Sequence, residues 1–172
     1  EEPVISTDFY PTFLQLAGIS APYNYELDGT SLLPLLKGEK KLGREALFWH
    51  FPCYLQAYKG MTDESRDPLF RTRPVSVILK GDWKLFMFHE EWVLDGGIEN
   101  MDENNSIELY NLKDDVAEQN NVAHINTRRR DELLKELIDW QKTIKAPLPT
   151  KPNPEYIDIQ TRHFMTGGRQ SK

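Results

Sequence analysis

Few residues in this chain could do chemistry: it has four histidines and one cysteine. His50 stands in LFWHFPCY, residues 47 to 54, as the one imidazole in a run of aromatic and aliphatic side chains. It can serve as a hydrogen-bonding group on a cleft wall, or as a core histidine satisfied by a backbone carbonyl. Cys53, three residues on, has no second cysteine for a disulfide and no Cys/His spacing of the zinc type around it, so it is expected to be a buried or half-buried small hydrophobe. Arg66, Arg71 and Arg73 carry guanidinium groups, which match oxyanions bidentately. Asp63, Glu64 and Asp67 lie beside them in sequence, and an ordinary salt-bridged surface is the favoured reading. The pair Asp114-Asp115 follows a strand in YNLKDDVAEQ, where a turn or helix cap explains it. His89, His124 and His163 are expected to be solvated.

The whole chain limits what these groups can serve. Its 172 residues suffice for one domain of ordinary size, or one and a part, with a core that needs no disulfide. A net charge of −6 argues against a general nucleic-acid binder, because the one basic cluster, Arg128 to Arg130, opens a helix and forms no groove. No apolar run approaches the roughly 20 residues of a membrane span. The chain begins without Met in structured-looking sequence, so it is expected to be a piece of a longer protein, and its compartment is left open.

The elements that must position these residues follow from periodicity. STDFYPTFLQLAGI predicts a helix that starts at Ser6 to Asp8 and stops at Gly18. Phe9, Phe13, Leu16 and Ala17 make one apolar face whose partner lies outside this segment. LDGTSLLPLLKGE adds a turn at Asp28-Gly29 and a helical turn over 31–36 closed by Gly38. From residue 46 the period changes to that of strands: ALFWHFP, PVSVILK, DWKLFMFH and SIELYNL. The KGD link (80–82) forces an antiparallel hairpin, and EEWVLDGGIENMDENN is predicted to be a long polar loop. Thr127 is a plausible cap for a helix with Leu133, Leu137, Trp140 and Ile144 on one stripe and Leu134 and Ile138 beside it, which should cover one sheet face. The Pro-rich segment after Ala146 should run extended over the surface. The fold class is therefore α+β, a four-stranded antiparallel sheet packed with a C-terminal helix. In its first strand alternation puts Phe48 and His50 on one face and Leu47, Trp49 and Phe51 on the other.

The segments VISTDFYPTFLQLAGI, LDGTSLLPLLKG, LFWHFPCY, VILKGDWKLF and IELYNLKDDVAEQNNVA, in this order and before a Leu/Trp helix and a Pro-rich end, resemble the C-terminal third of a type I sulfatase. The resemblance implies that residues 1–45 end an alkaline-phosphatase-like α/β domain that is otherwise missing. It implies that 46–150 form the C-terminal α+β subdomain and that 151–172 form an extended tail. It also implies Ca2+ and a formylglycine nucleophile in the full-length protein, with their ligands absent from this chain. PCYLQ lacks the Pro and Arg of the Cys/Ser-x-Pro-Ser/Ala-Arg motif, so Cys53 is not that nucleophile, and the chain alone is expected to be inactive. On the same resemblance His50 is the candidate substrate-binding residue, through hydrogen bonds to sugar hydroxyls or sulfate oxygens. A sulfated carbohydrate or aryl sulfate is the implied substrate, and a periplasmic, extracellular or lysosomal site the implied location. Many relatives place a basic residue two positions before the Gly-Asp turn, where this chain has Leu79, which weakens a binding role for that hairpin. Two other functions stay open: a non-catalytic interaction module, and a phosphonate or phosphodiester hydrolase of the same superfamily.

Overall fold

The computed structural model of the chain describes residues 2–56 and 70–151, apart from the side chains of 56, 70 and 71. Two compact units divide it, Glu1–Glu45 and Ala46–Lys172. In the first, a 3-10 turn at Ser6–Asp8 leads into α1 (Phe9–Leu16), and α2 (Leu33–Leu36) follows. Asp8 organises this unit. Its buried carboxylate accepts two hydrogen bonds from the Arg44 guanidinium, at 2.6 and 2.8 Å, and one each from the Thr30 and Ile5 amides, both at 2.9 Å. The carboxylate thus reaches back to Ile5 and across to Thr30 instead of capping the first turn of α1. Thr12, the buried residue of α1, donates to the Asp8 carbonyl and accepts from the Leu32 amide. Gly29 has to be glycine, because a Cβ there would lie 2.1 Å from the Thr7 carbonyl oxygen. Phe9 and Phe13 on the other side of α1 are 52% and 63% exposed.

The second unit contains β1 (Leu47–Phe51), β2 (Leu55–Gln56), β3 (Phe70–Thr72), β4 (Val75–Lys80), β5 (Trp83–Phe88) and β6 (Ile107–Asn111). The four expected strands form one antiparallel sheet in the order β1-β4-β5-β6, and β2 and β3 add a small separate pair that periodicity did not signal. Gly81, at φ +59°, makes the two-residue hairpin between β4 and β5 possible. The stretch after β5 is not the expected loop throughout. It opens with α3 (His89–Leu94) and a 3-10 turn at Gly97–Glu99. Left-handed backbone at Gly96 and Gly97 turns the chain there, and the Asn104 side-chain amide ties it back by donating to the Glu91 and Asp95 carbonyls.

α4 (Thr127–Thr143) covers one face of the sheet, with Asn126 before its first turn and Thr127 inside it. Leu133, Leu134 and Leu137 bury against Ile78, Leu85, Met87, Ile107 and Leu109, each contributing on the order of 2 kcal/mol of transfer free energy. Trp140 stacks on Phe48 at 4.9 Å between ring centres. Ile144 falls past the helix end and is exposed, so the stripe stops one turn earlier than expected. Two polar residues, Arg130 and Gln141, are buried on that same face of α4. The opposite sheet face carries Val75, Val77, Phe86, Phe88 and Tyr110 with Trp49 and Leu112.

Candidate functional site

Strand register places the candidate. His50 pairs with Ser76 across β1 and β4, and Ser76 pairs with Met87 across β4 and β5, so all three point to the face covered by α4. His89 follows Phe88 and returns to the side of Met87. Gln141, one turn beyond Leu137, descends from α4 onto the same spot. The result is a polar cluster inside an apolar layer. Ser76 Oγ lies 2.8 Å from His50 Nδ1, 2.9 Å from His89 Nε2 and 2.8 Å from Gln141 Nε2. The two imidazoles stand 5.0 Å apart with a 30° tilt.

His50 is half-buried on edge strand β1, and its Nε2 lies 2.9 Å from the carbonyl oxygen of Pro147, at the exposed rim of the cluster. Burial pushes the imidazole below its ordinary pKa, against a smaller upward pull from the Pro147 carbonyl. Ser76 and His89 are inaccessible to solvent. Burial, with a lesser contribution from His50, takes His89 down to about 4, and its Nδ1 has no hydrogen-bond partner. Both histidines are thus neutral at physiological pH.

The structure corrects two expectations. His89 is buried, not solvated, because the chain leaves β5 after Phe88 on the inward side, although its sequence neighbours Glu90 and Glu91 are acidic. Cys53 is exposed: β1 ends at Phe51, and the thiol falls on the bend after Pro52. His124 is exposed, 3.8 Å from Asp102, and His163 lies outside the described residues. Of the arginines, Arg73 pairs with Glu91 and lies 4.1 Å from the Phe88 ring centre. Arg66, Asp63, Glu64, Asp67 and the side chain of Arg71 lie outside the described residues. Asp114 and Asp115 serve turns. Asp114 accepts from the Asn111 side chain, and Asp115 accepts from the amides of Gln119 and Asn120, the latter holding it below the ordinary carboxylate range. Arg128 and Arg129 pair with Glu132, and Arg130 with Asp131 and Asp102, so the basic triplet is neutralised locally.

Sequence reasoning missed Ser76, His89 and Gln141. A signal was present for Ser76: it is the one polar residue in VSVIL, directly across from His50 once the strands are paired. Among the described residues no three or more His, Cys, Asp or Glu side chains come together as a metal site, and Cys53 lies in PCYLQ. These residues therefore fit neither a calcium ion nor a formylglycine, and no step is assigned to either group on this chain. No helix among the described residues is long and apolar enough to cross a membrane.

The sheet and its covering helix are those of a sulfatase C-terminal domain. The profile of the family described as N-sulphoglucosamine sulphohydrolase, C-terminal, matches residues 1–145, and the chain belongs to that family. It is 31% identical over 134 residues to a sulfatase of Formosa agariphila, covering 73% of this chain and 20% of that protein. It is 27% identical over 146 residues to an N-acetylglucosamine-6-O-sulfatase of Bacteroides thetaiotaomicron, covering 82% of this chain and 22% of that protein. A protein solved in complex with its substrate, D-glucosamine-2-N,6-O-disulfate, superimposes with a TM-score of 0.53 at 27% identity, over 87% of this chain and 25% of that one. The chain thus spans about a fifth of the curated relatives and a quarter of that structure.

Proposed function

We propose that this chain is the C-terminal part of a sulfatase that hydrolyses sulfate esters on carbohydrates. In this reading Glu1 to Glu45 complete the α/β domain, residues 46–150 form a wall of the substrate pocket, and 151–172 are an extended tail. The observation that carries it is the family match over residues 1–145, and similarity to an N-acetylglucosamine-6-O-sulfatase and to a structure solved with a disulfated glucosamine supports the carbohydrate. The formylglycine nucleophile and Ca2+ belong to the missing part, which supplies activation of the ester and the covalent step. The isolated chain should therefore not turn over any sulfate ester. Like the relatives its sequence resembles, the protein acts in a periplasmic, extracellular or lysosomal compartment.

His50 is the residue of this chain offered to the substrate. Its Nε2 sits at the rim, bonded to a single carbonyl that a substrate oxygen can replace. A second reading is favoured by the engagement of both ring nitrogens within the chain: the imidazole latches the segment after α4 to β1. One experiment separates them. In the full-length protein, His50→Ala should lower kcat/KM on N-acetylglucosamine 6-O-sulfate roughly 10- to 100-fold, mostly through KM, and leave 4-nitrophenyl sulfate nearly unaffected. Equal losses on both substrates with a lowered melting temperature leave only the latch.

A further inference from the structure

Hydrogen-bond counting around Ser76 leaves one consistent arrangement of protons. A backbone carbonyl only accepts, so His50 Nε2, facing Pro147, carries a hydrogen. Neutral His50 therefore has a bare Nδ1, which must accept the Ser76 hydroxyl hydrogen. The Gln141 amide nitrogen can only donate, and it fills one Ser76 lone pair. The other remains for His89, which must donate through Nε2 and keep its bare nitrogen at Nδ1. That is the ring atom that lacks a partner, and an orphaned acceptor is what this assignment leaves there.

Protonating His50 breaks the arrangement. Its Nδ1–H would then donate to Ser76, where Gln141 already occupies one lone pair and His89 the other. To make room, the Ser76 hydrogen must turn to His89 Nε2, and His89 must move its own hydrogen to Nδ1. A donor would then be stranded in a site closed to water. From every element packed on the two rings, β1, β4, the start of α3 and α4, the groups bonded to them are neutral: Ser76, the Pro147 carbonyl and, through Ser76, Gln141.

We infer that His89 is a positioning residue which, acting through Ser76, holds His50 neutral with its hydrogen on Nε2, so that the rim presents an uncharged donor suited to a sugar hydroxyl rather than a cation suited to sulfate. This rests on the proposed contact of His50 with substrate and names the group it would meet.

The test is to titrate the intact protein labelled with 15N-histidine, with His50 assigned by the signal lost in His50→Gln. At neutral pH the wild type should show both His50 and His89 as neutral Nε2–H rings. In His89→Met the thioether sulfur can accept the Ser76 hydrogen and brings no donor of its own to strand, so the His50 midpoint should rise by about one pH unit or more. Ser76→Ala, which removes the acceptor for Nδ1–H, should not raise it. An Nδ1–H ring at either position in the wild type overturns the inference, a reading that needs no variant to fold. So does an unmoved His50 midpoint in folded His89→Met. Kinetics separate the two proposals. If the midpoint moves while KM for N-acetylglucosamine 6-O-sulfate and its pH profile do not, the positioning stands and the substrate contact of His50 fails.

Discussion

A polar cluster is buried in each unit of this chain, and the two are built on different principles. Asp8 and Arg44 form a charged cluster in which the carboxylate is saturated by a forked guanidinium and two amides, while Arg44 Nε is left without a partner. His50, Ser76, His89 and Gln141 form a neutral one that shares a single hydroxyl among three nitrogens and leaves one ring atom without a partner. A saturated carboxylate suits a cluster whose work is to hold a loop, the DGTSL turn, onto a helix. A single hydroxyl shared among three nitrogens suits one whose protons have to be placed.

The largest effect should come from breaking the charged cluster. Arg44→Met leaves a carboxylate buried without its counter-ion and should destabilise the intact protein by about 3–5 kcal/mol in chemical denaturation. Arg44→Lys keeps the charge but loses the bidentate fork, and should fall between. A loss below about 1 kcal/mol for the Met variant would mean that the Asp8 carboxylate is held mainly by the amides of Thr30 and Ile5.

Acid should separate the two clusters by pH. His89 binds its proton in the unfolded chain near pH 6.5 and in the fold only near 4. As pH falls through that interval the unfolded state gains protons that the native state refuses, so stability drops, by up to about 3 kcal/mol, and levels off below. Asp8 behaves differently. Burial pushes its carboxyl up, but the bond from Arg44 and those from Thr30 and Ile5 outweigh it and leave the group below the usual carboxylate value. Its contribution is intact above about pH 4 and is lost only as pH falls further. The expected outcome is that His89→Gln flattens the stability curve between pH 6.5 and 4 and leaves the steeper fall below it, as read by denaturation midpoints. Parallel curves for wild type and variant would show that His89 does not carry the upper interval.

Legibility followed the type of constraint. The four strands, the hairpin at Gly81 and α4 were readable because period-2 and period-3.6 patterns reflect burial of whole side-chain rows. β2, β3 and α3 were not: the first two have two and three residues, too few for a period, and α3 depends on tertiary tethers such as Asn104. Of the cluster, His50 stood out because an imidazole is conspicuous in an apolar strand. Ser76 and Gln141 are common polar residues whose burial depends on pairing across 26 and 65 positions, which no local pattern encodes. His89 was misjudged for a related reason, since its sequence neighbours are acidic while its spatial neighbours are not. The Phe9/Phe13 face was readable as apolar, and it remains exposed in the structure.

The smallest effect should come from trimming the neutral cluster. Gln141→Met keeps the length and apolar stem of the side chain on a face that already holds Leu133, Leu134 and Leu137. It removes one donor from Ser76 Oγ, leaving a single lone pair unmet while the hydroxyl hydrogen stays on His50 and His89 still donates. The cost should be about 1 kcal/mol, the ordinary worth of one neutral hydrogen bond, against several for Arg44→Met. Because the count at His50 is unchanged, the imidazole should remain an Nε2–H ring, and the preference for sugar over aryl sulfate should survive. A loss of 3 kcal/mol or more, measured by denaturation, would show that the neutral cluster is as tightly saturated as the charged one, and the contrast between the two would collapse.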